Sequence, residues 1–178
     1  MSEIPLHKRK KSPLDVQHNI NKIRREITLD LMETFGYSKQ KFERHIRKAT
    51  AFIKDDEDRQ AREDQLRQRE EGFDVMFIEH ERVRILDLVC EISTHIRRAN
   101  TIYPTYMCEW MERRMELTRA MEACNALQDE LQYIAETLPA DKNKYMNIVL
   151  ELEGEYRGIR ALRQSNNRLL KGLKDYSE

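Results

Sequence analysis

The sequence predicts an all-α fold: an antiparallel four-helix bundle with an additional charged, partly exposed helix or connector. Three observations predict it. Of 178 residues, 36% are charged and only 5 are Gly and 4 Pro, the composition of long surface-exposed helices. Apolar side chains recur at spacings of three and four, one helical stripe at a time. No segment alternates apolar and polar residues long enough to read as a strand.

The few breakers divide the chain. Residues 1–13 form a basic arm, Lys8-Arg9-Lys10-Lys11, between Pro5 and Pro13. Residues 14–54 hold the N-terminal helices. Ser12 is the expected N-cap of the first, and Pro13 suits its first position, where the missing N–H costs nothing. Ile20, Ile23, Ile27 and Leu31 then mark one face, and Gly36 is the expected stop. A second helix opens near Ser38 and uses Phe42, Ile46, Ala49 and Ile53.

Residues 55–72 form a charged connector. The stretch 55–71 holds eight acids and four arginines, with only Ala61 and Leu66 apolar. Charge pairs can keep it helical, but it has little to bury, so exposed helix and partial disorder both stay open.

Residues 73–178 form the expected bundle core. A third helix runs from about Phe73 to Ala99. Val75, Ile78, Ile85, Val89, Ile92 and Ile96 make one face, widened by Met76, Phe77, Leu86 and Leu88. A wide arc implies two neighbours. Pro104 suits the first turn of the fourth helix, which carries Trp110, Leu117, Met121, Cys124, Leu131, Ile134 and Leu138. Pro139 ends it. Asp141 is the expected N-cap of the fifth, where Tyr145, Ile148, Leu152, Ile159, Leu162, Leu169 and Leu173 continue the spacing nearly to the end. Short connections make helices three to five antiparallel neighbours, and the first helix supplies the fourth wall.

No catalytic or metal constellation assembles, so an enzyme is not expected. Metal-carboxylate bundles use Glu-x-x-His on an inner face. The residues three before His45, His80 and His95 are Phe42, Phe77 and Ile92. The nearest approach, Asp15-x-x-His18, occurs once at a helix start. Cys90, Cys108 and Cys124 form no C-x-x-C pair and are expected to be buried as small apolar residues in a reducing, cytoplasmic compartment. No cofactor is expected. No window approaches the ~20 apolar residues of a membrane span. Gly154 and Gly158 form G-x-x-x-G and are expected to let a neighbouring backbone approach.

The formal net charge is zero, but it is a cancellation. Residues 1–54 carry +7, residues 55–72 carry −4, residues 73–139 carry −5 and residues 140–178 carry +2. In the last helix, Arg157, Arg160, Arg163, Arg168, Lys171 and Lys174 follow short helical steps. With Lys8, Arg9, Lys10 and Lys11 they form a candidate phosphate or partner footprint. The plain alternative is a solvated helix end whose cations favour the negative end of the dipole.

Several strings carry a family resemblance. They are Ala99-Asn100-Thr101-Ile102-Tyr103-Pro104-Thr105 followed by Glu112-Arg113-Arg114, and Leu127-Gln128-Asp129-Glu130-Leu131-Gln132-Tyr133 with Leu138-Pro139 and Lys144-Tyr145. Arg163-Gln164-Ser165-Asn166-Asn167-Arg168 closes the set. Over roughly residues 73–170 the chain resembles the accessory variability proteins of diversity-generating retroelements. The resemblance implies a non-catalytic four-helix-bundle subunit that forms a homo-oligomer, a pentamer in that family. It also implies association with a reverse transcriptase and its template RNA in support of mutagenic cDNA synthesis. The basic residues of the last helix and the arm then become candidates for RNA or polymerase contact. An oligomeric helical scaffold with protein partners only is the alternative.

Overall fold

The computed structural model describes residues 12–32, 39–72, 76–137 and 143–174. Among these residues the fold is all-helical, with six α-helices: α1 (Pro13–Met32), α2 (Lys39–Thr50), α3 (Asp56–Gly72), α4 (Ile78–Thr101), α5 (Met107–Thr137) and α6 (Asn143–Ser165). A 3-10 helix, Asn166–Gly172, follows α6. No described helix is long and apolar enough to cross a membrane.

The start of α1 follows from its first four residues. Ser12 Oγ accepts the Asp15 N–H at 3.2 Å, and Asp15 Oδ2 accepts the Ser12 N–H at 2.7 Å. This reciprocal pair satisfies two backbone donors that the helix start leaves open. Its stripe Val16, Ile20, Ile23, Ile27 and Leu31 is buried as the spacing predicts.

That stripe joins α4, α5 and α6 in one hydrophobic core. Ile85, Val89, Ile92 and Ile96 enter from α4, Leu117, Leu127 and Leu131 from α5, and Ile148, Leu152 and Ile159 from α6. Helix α4 packs on α5, α5 on α6, and α1 on both α4 and α6. Polar contacts cross three of these seams. Gln17 Nε2 donates to Ser93 Oγ at 3.3 Å, and Ser93 Oγ donates to Asn21 Oδ1 at 3.3 Å. Lys22 Nζ meets Glu151 Oε1 at 2.9 Å, and His95 Nδ1 meets Glu116 Oε2 at 2.7 Å.

The charged connector is helical: it is α3, packed against α2. Asp55 caps it, its Oδ1 accepting the N–H groups of Glu57 and Asp58 at 2.9 and 3.1 Å. Asp56, Glu57 and Asp58 fill the first turn, where negative charge is favourable. Arg67 ties the pair together. It holds Glu43 through Nε at 3.0 Å and Nη2 at 3.3 Å, and also meets Glu63 and Asp64. None of the described α3 side chains is buried, so caps, charge pairs and contacts with α2 hold this helix. Phe42 and Ile46 of α2 are buried outside the main core cluster.

Several expectations need correction. Helix α5 begins at Met107, so Pro104 lies in the preceding connection and not in its first turn. The fifth helical stretch does not stay α-helical to the end, because it becomes 3-10 at Asn166. Leu169 there is exposed. Met76 and Leu86 are exposed too, so they do not widen the buried face of α4, whereas Leu88 does. Of the cysteines, only Cys124 is buried; Cys90 is half-buried and Cys108 exposed. Burial, aided by the charge of Glu155, pushes the Cys124 thiol up to about 12. A Cβ added at Gly154 would meet nothing within 4 Å, so no neighbouring backbone of this chain fills the space it leaves. Gly36, Ser38, Phe73, Val75, Leu138, Pro139 and Asp141 lie outside the residues whose side chains are described.

Candidate nucleic-acid interface

The connection from α4 to α5 is short, and it is bonded on both sides of Tyr103-Pro104. Thr101 Oγ1 donates to the Arg98 carbonyl at 2.8 Å. Arg113 Nη1 reaches back from α5 to the Ile102 carbonyl at 2.8 Å. Glu109 Oε2 accepts the N–H groups of Thr105 and Tyr106 at 2.7 and 3.1 Å. Those two backbone donors hold the Glu109 carboxyl below its ordinary value, as expected when hydrogen bonds favour the charged form.

The C-terminal turn docks onto the same connection. The Lys174 N–H donates to the Thr105 carbonyl at 3.0 Å, and the Met107 N–H donates to the Lys174 carbonyl at 3.3 Å. Tyr106 and Lys174 thereby form a parallel bridge. The Trp110 indole donates to the Asn166 carbonyl at 2.9 Å. The Arg114 guanidinium lies 5.3 Å from the Trp110 ring centroid and donates to Asn167 Oδ1 at 2.9 Å. These bonds give the physical reason for the change of helix type. The Asn166 carbonyl takes the indole donor, and Asn166-Asn167 has weak helical preference. The chain therefore leaves α-geometry to follow α5.

The start of α1 meets this end as well, because Asn100 Nδ2 of α4 donates to the Pro13 carbonyl at 3.1 Å. One end of the molecule thus gathers the start of α1, the end of α4, the start of α5 and the C-terminal turn. Arg97, Arg98, Arg168, Lys171 and Lys174 are exposed, and Arg113 and Arg114 are half-buried. Burial pulls Arg113 below its ordinary value, opposed by its interaction with Tyr103. Tyr103 is 82% exposed.

The expected site residues fall into distinct places. Lys8, Arg9, Lys10 and Lys11 lie outside the described residues, and Lys11 directly precedes Ser12. Arg168, Lys171 and Lys174 come together on the C-terminal turn. Arg157 pairs with Glu153 on α6 and lines a surface groove of about 510 Å³ with Gly154, Gly158, Ala161, Gln164 and Arg168. Arg160 is exposed on α6 and does not line that groove. Arg163 is half-buried, and its Nε is buried with no hydrogen-bond partner. Tyr103, Tyr106, Arg113 and Arg114, which lie at the same end, are not among the candidate residues read from the sequence. The available signal was two aromatics around Pro104, flanked by the basic pairs Arg97-Arg98 and Arg113-Arg114.

Comparison with known proteins finds no match to a family model, a curated protein or a solved structure.

Away from this end, two buried carboxylates meet partners within the chain. Glu116, 5% exposed, joins His95 to Arg119, whose Nη1 lies 2.8 Å from Glu116 Oε1. Burial pushes its carboxyl up, but the His95 hydrogen bond and the charges of His95 and Arg119 outweigh that and hold it low. Glu81 shares a hydrogen bond with Glu130 across α4 and α5, and burial pushes Glu81 up to about 7. Among the described residues no three His, Cys, Asp or Glu side chains cluster to hold a metal ion.

Proposed function

We propose that this chain is a non-catalytic accessory subunit of a diversity-generating retroelement. It binds template RNA and the reverse transcriptase and supports mutagenic cDNA synthesis. In this reading α1, α4, α5 and α6 form an antiparallel four-helix bundle, and copies of it assemble into a homo-oligomer. The observation that carries the RNA contact is the gathering of Arg97, Arg98, Arg168, Lys171 and Lys174 at one end. The connection and C-terminal turn that present them are cross-braced. The resemblance of residues 73–170 supplies the retroelement partner.

The test is RNA binding measured across salt. Each cation on a single strand contributes a slope of about 0.7 in log K against log salt. The triple change Arg168→Glu, Lys171→Glu, Lys174→Glu is expected to lower the slope by about 2 and to weaken binding at least about tenfold. Absence of salt-sensitive binding by the unaltered chain sinks the reading, as does failure to co-purify with a co-expressed reverse transcriptase.

A second reading, a scaffold with protein partners only, is favoured by Met107, Met111 and Met115. They are exposed at four-residue intervals along α5, and methionine suits adaptable protein contacts. It predicts that Met111→Glu abolishes assembly in size-exclusion chromatography while the triple charge reversal changes nothing.

A further inference from the structure

We infer that the α4–α5 connection is a stacking platform for an unpaired nucleic-acid strand, with Tyr103 and Tyr106 taking bases and Lys171 and Lys174 taking phosphates. This rests on the RNA-binding reading and names the form of the ligand. Three observations lead to it.

The first is the aromatic exposure. Tyr103 is 82% exposed, and Tyr106 is partly exposed three residues on. Their Cα atoms are at most about 11 Å apart, a span that neighbouring bases of one strand can share. Every base has a face to stack, and aromatic stacking is how proteins hold single strands without reading sequence. In a duplex those faces are already covered by neighbouring pairs, so the exposed ring has little to gain there.

The second is rigidity. The Tyr103 segment is fixed by the Arg113 bond to Ile102 and the Glu109 bonds to Thr105 and Tyr106. Lys174 adds backbone bonds on either side of Tyr106, and Pro104 sets its own φ. A braced segment loses little backbone entropy when a base stacks on the ring it carries.

The third is charge. Lys174 pairs through its backbone with the segment that carries Tyr106, and Lys171 precedes it on the 3-10 helix. Two acids at this end are turned onto backbone amides: Asp15 caps Ser12, and Glu109 holds Thr105 and Tyr106. Both carboxylates keep their negative charge, and the exposed Arg97, Arg98, Arg168, Lys171 and Lys174 outnumber them at this end. Aromatic rings beside cations that meet the phosphate backbone are the two parts a single-strand site requires.

The experiment uses the full chain, fluorescence anisotropy and a labelled 12-nucleotide single-stranded RNA, with a perfect duplex of the same strand as comparison. Tyr103→Ala is expected to weaken single-strand binding roughly 5- to 150-fold. It should leave the salt slope and the duplex affinity unchanged, and Tyr103→Phe should restore binding. Lys171→Ala should instead lower the salt slope by about 0.7. Thermal melting of Tyr103→Ala should match the unaltered chain, because the ring is exposed. If the unaltered chain binds with a salt slope but Tyr103→Ala binds equally well, stacking is overturned and RNA binding stands. If duplex binds as tightly as single strand, stacking is overturned as well. If the unaltered chain binds neither, both readings fall together.

Discussion

Replacing Leu127 with Ala is expected to destabilise the chain by about 2–5 kcal/mol. Leu127 is fully buried, in the middle of α5. It belongs to the single cluster that α1, α4, α5 and α6 share. Deleting its branched end removes apolar atoms from the core and leaves a hole, and both terms act in one direction. Its neighbours on the helix face, Cys124 and Leu131, are themselves buried and held by α5, so the hole closes only in part. For a chain of this size the loss corresponds to a melting-temperature drop of about 5–15 °C. Met111→Ala on the exposed side of the same helix is the control, expected within about 0.5 kcal/mol of the unaltered chain. Urea unfolding of the two variants measures the difference. A cost below about 1 kcal/mol for Leu127→Ala would show that the four helices do not close around this residue.

That core was legible in the sequence because its signal is local. The spacing of Ile20, Ile23, Ile27 and Leu31 identifies a helix face without knowledge of its neighbour, and all four are buried. The Ser12-Pro13 start was legible for the same reason, since both partners of the cap lie within four residues. Sequence reasoning failed where the deciding contact is distant. Leu169 and Leu173 continue the apolar spacing of α6, yet the chain turns 3-10 there. The bond that redirects it, from Trp110 to Asn166, spans 56 residues. Met76 and Leu86 have the right residue type for a wide apolar arc, but no spacing tells which edge of the arc a neighbour covers. The candidate interface was half legible. Charge counting found Arg168, Lys171 and Lys174. The backbone bonds between Lys174 and both Thr105 and Met107 bring the C-terminal turn beside Tyr106, and no pattern within one helix announces those contacts.

The buried carboxylates Glu116 and Glu81 are expected to shape stability against pH with opposite slopes, one at low pH and one near neutrality. Glu116 is held low against its own burial by His95 and Arg119. A group with a depressed folded value stabilises above its unfolded value, and that contribution is lost as pH falls through the folded one. Stability therefore declines as pH drops below the ordinary carboxylate range. Glu81 has the reverse sign. Burial, then the hydrogen bond and charge of Glu130, raise it from 4.5 to about 7. Between those values the folded chain keeps a proton that the unfolded chain gives up, so raising the pH through this window favours unfolding. Arg84, 3.8 Å from Glu130, offsets part of the cost. Unfolding in urea should show about 2 kcal/mol less stability at pH 8 than at pH 5.5. Glu81→Gln keeps the shape and the hydrogen-bonding capacity but cannot ionise. Its stability should change little between pH 5.5 and pH 8, and it should exceed that of the unaltered chain at pH 8. An unaltered chain equally stable at pH 5.5 and pH 8 would mean that Glu81 ionises freely and does not share a proton with Glu130 across α4 and α5.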